Sequence, residues 1–262
     1  MPKDLPGVSS LASPLGAESA ATRRIIFAAD FADVEDARRA SLPLQPHLGL
    51  VKIGLELFVG AGPHALAWAR EAGLPIFLDL KLHDIPATVE RAVDRAVALG
   101  ARMLTVHASG GKEMLLRAAR RAEAAGDTCT IVAVTVLTSL DDADLSDLGV
   151  DADTQTHARR LARVAFDQGV RAFVCSPEEV AGLRAELGSQ ATLITPGVRA
   201  SARPEGEKDD QKRVATAYDA ILRGADYVVV GRPIRDAADP VAAAARIDES
   251  VREALAHSEG RP

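Results

Sequence analysis

Eight short apolar runs, separated by longer stretches of helical periodicity, follow one another along this chain and constrain its fold more than any other feature. The runs are RIIFAAD, LGLVKIG, PIFLDLK, RMLTVHA, CTIVAVTVLT, RAFVCS, ATLITPG and ADYVVVG. Each has the length and the β-branched content of a buried strand. Eight strand-helix units in one series predict an α/β fold, a single (β/α)₈ (TIM) barrel.

The stretches between these runs have the apolar spacing of helices that pack on a sheet. We expect helices at Val34–Ser41, Leu57–Glu71, Ala87–Leu99, Lys112–Ala125, Thr154–Gln168, Glu178–Leu187, Ala215–Arg223 and Pro240–Ala256. Several of them end in AG, LG, QG or RG, as helices that stop at a glycine do. An open doubly wound sheet is the alternative, but no GxGxxG or P-loop motif follows the first strand.

The length of 262 residues and the hydrophobic fraction of 47% suffice for one large core. We expect one catalytic domain over residues 24–262 and a disordered extension over residues 1–23, which are rich in Pro, Gly, Ser and Ala. The formal charge of -6 argues against a nucleic-acid partner, and the extension lacks the continuous apolar core of a signal peptide or membrane span. The sequence predicts a cytoplasmic protein that binds neither nucleic acid nor membrane.

The two cysteines, Cys129 and Cys175, each lie in a β-branched run, which favours buried free thiols over a disulfide. The six histidines are scattered, and no CxxC motif or Cys/His grouping occurs. The sequence therefore predicts no metal site.

In a (β/α)₈ barrel the functional residues collect at the C-terminal ends of the strands. Most of the residues at those ends are polar in this chain, and the ends carry Asp30, Lys52, Asp79, Lys81, His107, Thr138, Ser176, Pro196, Gly197, Arg199, Gly231 and Arg232. We expect these side chains to converge at one mouth of the barrel.

The segment IFLDLKLHDIPATV holds the densest group of charges. In an extended strand Asp79 and Lys81 share one face, so both can point into the mouth. Asp84 follows at the strand-to-helix turn, where Pro86 suits the first helical turn. A structural alternative is open for each residue, with Asp84 as a helix N-cap and Asp79 with Lys81 as a buried ion pair.

A lysine between two carboxylates stays protonated, because each opposite charge at about 4 Å contributes about 4 kcal/mol at an effective dielectric constant of 20. Lys81 is therefore expected to act as a cation and a proton donor. A Schiff-base nucleophile would require the neutral amine.

Six stretches resemble one known family in the right order, from Arg24 to the C-terminal helix: VKIGLELF, FLDLKLHDIPATV, VHASGG, AVTVLTS, ITPGVR and YVVVGRPI. They are similar to the orotidine 5′-phosphate decarboxylases, which make uridine 5′-phosphate at the end of pyrimidine nucleotide synthesis. Two departures are the reading FAAD before the first turn, where ALD is commoner in the family, and the N-terminal extension.

The resemblance implies a catalytic network of Lys81, Asp79, Asp84 and Lys52, with Lys52 and Asp30 also at the ribose. It implies a homodimer with shared active sites, to which the second subunit contributes Asp84, Ile85 and Thr88. It implies loss of carbon dioxide from orotidine 5′-phosphate, without a metal ion or an organic cofactor.

The resemblance also assigns contacts to the two ends of the nucleotide. Thr138 matches the position that contacts the pyrimidine, for which a solvated helix cap is the structural alternative. Gly197, Arg199, Gly231 and Arg232 fall between the seventh and eighth barrel strands, where barrels commonly bind phosphate, and Pro196 is a further expected substrate contact. For Arg232 the alternative is a solvated side chain.

The loop from Ala200 to Gln211 is long and polar for a strand-to-helix connection, which favours a lid over the ligand. By resemblance, Gln211 contacts the phosphate and the pyrimidine. His83 lies within the family motif but receives no chemical role.

Two rival functions remain open at the level of sequence. A magnesium-dependent sugar-phosphate decarboxylase or aldolase on a related barrel shares the DxKxxD pattern. A regulatory barrel that binds a phosphate ligand without catalysis is the other, although binding alone does not require a lysine among carboxylates.

Overall fold

The computed structural model describes residues 24–126, 128–199 and 215–259. Its strands are β1 (Ile25–Ala28), β2 (Leu50–Ile53), β3 (Ile76–Leu82), β4 (Ala101–His107), β5 (Thr130–Val134), β6 (Ala172–Val174), β7 (Thr192–Thr195), β8 (Val198–Arg199), β9 (Ala215–Thr216) and β10 (Tyr227–Val230). Eight of them close a parallel barrel in the order β1-β10-β7-β6-β5-β4-β3-β2. The predicted (β/α)₈ barrel is confirmed, and the open doubly wound alternative is wrong.

Helices follow the strands around the outside of the barrel. The α-helices are α1 (Val34–Ser41), α2 (Leu55–Ala61), α3 (Ala67–Glu71), α4 (Pro86–Ala98), α5 (Lys112–Ala124), α6 (Asp142–Asp147), α7 (Thr154–Asp167), α8 (Val180–Leu187), α9 (Ala217–Leu222), α10 (Arg232–Arg235) and α11 (Pro240–Glu259). Short 3₁₀ helices cover Leu42–His47, Gly62–Leu66, Ala108–Gly110 and Gly188–Gln190. The predicted glycine stops are confirmed, with Gly169 at φ 94° and Gly224 at φ 104° after α7 and α9.

Strand alternation divides the core into two layers. Ile26, Phe77, Met103, Val132 and Ile194 belong to a cluster that fills the barrel interior. Their neighbours in sequence belong to the larger cluster between the strands and the helices. The inward positions of each strand therefore lead up through the apolar interior to the mouth.

Two helix predictions need correction, and helix α6 was missed. The stretch predicted as one helix over 57–71 is broken at Gly62, which has φ 57° and precedes Pro63, a residue without an amide proton. The predicted helix over 215–223 begins at Ala217, because Thr216 caps it by accepting a hydrogen bond from the Asp219 amide. Helix α6 was not predicted, although Asp141 and Asp144 form a capping box at its start.

Two predicted segments lie outside the described residues, the extension over 1–23 and the 200–211 loop with Gln211. The domain boundary at residue 24 stays a prediction. Among the helices that the structure describes, none is long and apolar enough to cross a membrane.

Candidate active site

A cavity of about 500 Å³ opens at the C-terminal ends of the barrel strands, and we call it the mouth cavity. Its floor is apolar, with Phe77, Val134 and Val229 among the lining residues. The predicted site residues that line it are Asp30, Lys52, Asp79, Lys81, Thr138, Pro196, Arg199, Gly231 and Arg232. His107 and Ser176, which also end strands, are not among its lining residues.

Four charged side chains alternate in sign across β1, β2 and β3. The Lys52 Nζ atom lies 2.8 Å from Asp30 Oδ1 and 3.7 Å from Asp79 Oδ2. The Lys81 Nζ atom donates to both oxygens of Asp79, at 2.9 Å and 2.8 Å. We call this set, Asp30, Lys52, Asp79 and Lys81, the charge network.

The charge network keeps Asp79 ionised. Burial alone raises the pKa of this carboxyl, but attraction from Lys52 and Lys81 and hydrogen bonds from Lys81 and Thr105 outweigh it. The pKa of Asp79 therefore lies below its ordinary value of 3.8. Lys81 thus faces a full negative charge.

Lys81 reaches the cavity through an interruption of the β3–β4 ladder. Leu78 pairs with Leu104 and Leu82 pairs with Val106, so four steps along β3 face two steps along β4. Lys81 has φ 51°, and no other non-glycine residue in the described chain has a positive φ. The prediction that Asp79 and Lys81 point to one side is confirmed, but a bulge rather than a regular extended strand produces it.

Thr105 is a functional candidate that the sequence analysis missed. This threonine on β4 is fully buried, and its hydroxyl lies 2.8 Å from the Lys81 amide nitrogen and 3.0 Å from Asp79 Oδ1. Strand alternation places Thr105 on the same face as the interior Met103. The period-two alternation of β4 could have indicated Thr105, but this residue lies before the end of the strand, and only strand ends were predicted to carry site residues.

Three arginines, Arg199, Arg232 and Arg235, also line the mouth cavity. Arg232 is the first residue of α10, and Gly231 before it passes so close to β1 that an added Cβ would lie 3.3 Å from the Ala28 Cβ. Arg199 lies on β8, which pairs with β9 above β7. Arg235 also lines the cavity and was missed, and its Nη1 donates to the Asp30 carbonyl at 3.0 Å.

Three predicted site residues do not converge on the cavity in a single chain. Asp84 is exposed, and its Oδ1 accepts a hydrogen bond from the Ile85 amide at 2.6 Å. Ile85 is 67% exposed, and Thr88 lies in the first turn of α4. The N-cap of α4 is Ile85, so the interpretation of Asp84 as that N-cap is wrong.

Thr138 lines the mouth cavity and is half-buried. The nearest helix, α6, is capped by Asp141, whose Oδ1 accepts from the Ala143 and Asp144 amides. The interpretation of Thr138 as a helix cap is therefore wrong.

The cysteines are free and buried, as predicted. Burial raises the pKa of Cys129 to about 11 and raises the pKa of Cys175 further. In the part of the chain that the structure describes, no three His, Cys, Asp or Glu side chains group as metal ligands would.

His83 and His107 lie beside the mouth, with ring centroids 5.5 Å apart. Burial lowers the pKa of His107, and the neighbouring His83 and Lys81 lower it further, while Asp79 opposes them. Neither imidazole is among the described hydrogen-bond donors to Asp79, which are Lys81 and Thr105.

A closed parallel barrel whose mouth is lined by paired lysines and aspartates and by three arginines defines a (β/α)₈ protein with a site for an anionic ligand. A family model described as orotidine 5′-phosphate decarboxylase / HUMPS family matches residues 23–247. The chain belongs to this family, so the family predicted from the sequence is confirmed.

Two curated relatives illustrate the similarity. The orotidine 5′-phosphate decarboxylase of Anaeromyxobacter sp. (strain K) is 49% identical over 226 residues, which cover 86% of this chain and 97% of the relative. The protein of the same name from Thermobifida fusca (strain YX) is 50% identical and covers 85% of this chain and 93% of its own.

A solved structure agrees with both. The crystal structure of orotidine 5′-phosphate decarboxylase from Lactobacillus acidophilus aligns with a TM-score of 0.76 and 34% identity, over 87% of this chain and 99% of that chain. The barrel and its family are thus shown by sequence and by structure.

Proposed function

We propose that this protein is an orotidine 5′-phosphate decarboxylase that forms uridine 5′-phosphate and carbon dioxide in pyrimidine nucleotide synthesis, with Lys81 as its proton donor. The relatives and the family model support the activity. The single observation that supports the role of Lys81 is that its ammonium group lies in the mouth cavity and donates hydrogen bonds to both oxygens of the buried Asp79, at 2.9 Å and 2.8 Å.

The reaction breaks the bond between the pyrimidine ring and its carboxylate. The electron pair stays on the ring carbon, and carbon dioxide leaves. The Lys81 ammonium stabilises this negative charge and then transfers a proton to the same carbon. Solvent returns the proton to Lys81 after the product has left.

Asp79 orients Lys81 through two hydrogen bonds, and we propose that this is its larger role. Its ionised carboxylate also lies beside the carboxylate that departs, so repulsion raises the energy of the bound substrate. That repulsion ends as neutral carbon dioxide leaves, whereas Lys81 gains a new negative partner on the ring.

Lys52 and Asp30 form hydrogen bonds with the ribose hydroxyls. They form an ion pair at 2.8 Å, and Asp30 remains 46% exposed while Lys52 is 11% exposed. An exposed carboxylate held in place by a buried cation suits the acceptance of hydrogen bonds from a sugar.

The other end of the nucleotide lies at the arginines. The guanidinium groups of Arg232 and Arg199 bind the phosphate, together with the backbone at Gly231 and Pro196. Thr138 contacts the pyrimidine from the end of β5. The contact of Gln211 and the lid over 200–211 stay predictions.

We propose a homodimer in which Asp84, Ile85 and Thr88 of one subunit complete the site of the other. The exposure of Asp84 and Ile85 in one chain supports this, because both residues follow the cavity strand β3 yet are not among the residues that line the cavity of their own chain. A cytoplasmic location likewise stays a prediction.

Turnover of orotidine 5′-phosphate by the purified protein in EDTA tests the proposed activity. Decarboxylation without a metal requires only protein charges, so we expect uridine 5′-phosphate to form in EDTA at the rate seen with added Mg²⁺. Turnover that EDTA abolishes and Mg²⁺ restores would favour the magnesium-dependent sugar-phosphate chemistry. Tight nucleotide binding without turnover in either condition would favour the regulatory barrel.

A further inference from the structure

The hydroxyl of Thr105 contacts both halves of the Asp79–Lys81 pair, and the mechanism above does not use it. Thr105 Oγ1 lies 2.8 Å from the Lys81 amide nitrogen and 3.0 Å from Asp79 Oδ1. Thr105 is fully buried and Asp79 is 9% exposed, so water competes poorly for these bonds.

The direction of both hydrogen bonds follows from valence. The Lys81 amide is a donor only, so Oγ1 accepts from it. A threonine hydroxyl has one proton, and the ionised Asp79 is an acceptor only. The Thr105 proton therefore points at Asp79 Oδ1, and one oxygen atom fixes the backbone of the lysine and the carboxylate that orients its side chain.

The backbone at Lys81 needs such a partner. The β3–β4 ladder is interrupted between Leu78 and Leu82, and Lys81 has a left-handed φ of 51°. In a regular ladder the amide would donate to a main-chain carbonyl. The Thr105 hydroxyl takes the place of that carbonyl and stabilises a conformation that L-residues seldom adopt.

We propose that Thr105 is a positioning residue for decarboxylation, which holds Lys81 and Asp79 in their reactive arrangement through this one hydroxyl. The proposal rests on the proposed function. It predicts that removal of the hydroxyl slows the chemical step and leaves substrate affinity nearly unchanged, since the described contacts of the Thr105 hydroxyl are with the lysine and the aspartate.

The test compares three variants in the assay of orotidine 5′-phosphate turnover. Thr105→Val has nearly the same shape without the hydroxyl, and we expect kcat to fall about tenfold to a hundredfold with KM within about threefold. Thr105→Ser keeps the hydroxyl, and its kcat should stay within about threefold of the parent.

Thr135→Val is the matched control, because Thr135 is also a buried threonine, but its hydroxyl donates to the Val174 carbonyl at 3.0 Å. Its kcat should stay within about threefold of the parent as well.

Hydrogen exchange gives a readout that does not depend on turnover. The Lys81 amide should exchange faster in folded Thr105→Val than in the parent, while amides along the β4–β5 ladder keep their protection. A parent protein without turnover would refute the proposed activity, and exchange at Lys81 would then still decide whether the hydroxyl holds this backbone.

Several results would overturn the proposal. One is a folded Thr105→Val with parental kcat and a parental Lys81 exchange rate, and another is an equal loss of kcat in Thr135→Val. If Thr105→Val does not fold, Thr105→Ser decides: parental kcat supports the proposal, and a folded serine variant with kcat more than about tenfold lower contradicts it.

Discussion

The two edges of strand β4 differ: the ladder with β5 is regular, whereas the ladder with β3, which bears the charged residues, is interrupted. Towards β5 the ladder is regular, with five consecutive pairs from Met103–Thr130 to His107–Val134. Towards β3 the register shifts twice, and the second shift contains Asp79 and Lys81. The regular edge stabilises the barrel through continuous pairing. The irregular edge has fewer ladder hydrogen bonds and places charged side chains at the mouth. A bulge beside a rigid ladder thus positions a lysine more exactly than a loop would.

The comparison predicts that charge changes on the irregular edge affect the chemical step most. Asp79→Asn keeps the size of the side chain but removes the charge that orients Lys81, so we expect kcat to fall about 10²-fold to 10³-fold. Steady-state kinetics with orotidine 5′-phosphate measures this. A kcat close to that of the parent would refute both roles given to Asp79, orientation and repulsion.

Arg232 follows β10, whose neighbours in the barrel are β1 and β7 rather than β3 or β4, and should show the opposite kinetic signature. Arg232→Ala removes a guanidinium from the phosphate end, so we expect KM to rise about tenfold to a hundredfold or more, with a smaller fall in kcat. The same assay with varied substrate separates the two constants. An unchanged KM would remove Arg232 from the phosphate site.

The comparison also explains what the sequence could and could not predict. Period-two alternation predicted that Asp79 and Lys81 share one face, and the rule for strand ends brought Asp30, Lys52, Asp79 and Lys81 together correctly. The bulge was not predicted, because a register shift depends on the partner strand rather than on β3 alone. Thr105 was missed for a related reason, since its role depends on the Lys81 amide, which the register shift in the neighbouring strand β3 turns towards a side-chain acceptor.

Asp84 tests whether the irregular segment continues into a second subunit. In one chain the Asp84 side chain accepts a hydrogen bond from the Ile85 amide and does not line the mouth cavity. If sites are shared, a mixture of the inactive variants Lys81→Ala and Asp84→Ala should form some intact sites and regain up to about a quarter of the parental activity. Subunit exchange followed by the turnover assay measures this, and a mixture as inactive as its components would contradict shared sites.

The smallest predicted effect is on stability at low pH. The pKa of Asp79 is lowered in the folded protein, because Lys52 and Lys81 outweigh the cost of burial. The ionised carboxylate therefore contributes stability that is present above the unfolded pKa, near 3.8, and that is lost as the pH falls through the lower folded pKa.

Denaturant unfolding of the parent and of Asp79→Asn measures this linkage. The free energy of unfolding of the parent, relative to the variant, should fall as the pH drops below about 4. A difference that stays constant with pH would show that the pKa of Asp79 is the same in the folded and unfolded states.

The role of Lys81 as proton donor is tested most simply by the turnover of Lys81→Ala beside Lys112→Ala in the same metal-free assay. Lys112 is exposed at the start of α5 and is not among the residues that line the mouth cavity, so it controls for loss of a lysine charge. Because Lys81 both stabilises the ring carbanion and protonates it, we expect Lys81→Ala to lose at least about 10⁴-fold in kcat. Lys112→Ala should keep the parental rate. A folded Lys81→Ala that decarboxylates orotidine 5′-phosphate as fast as Lys112→Ala would contradict the account.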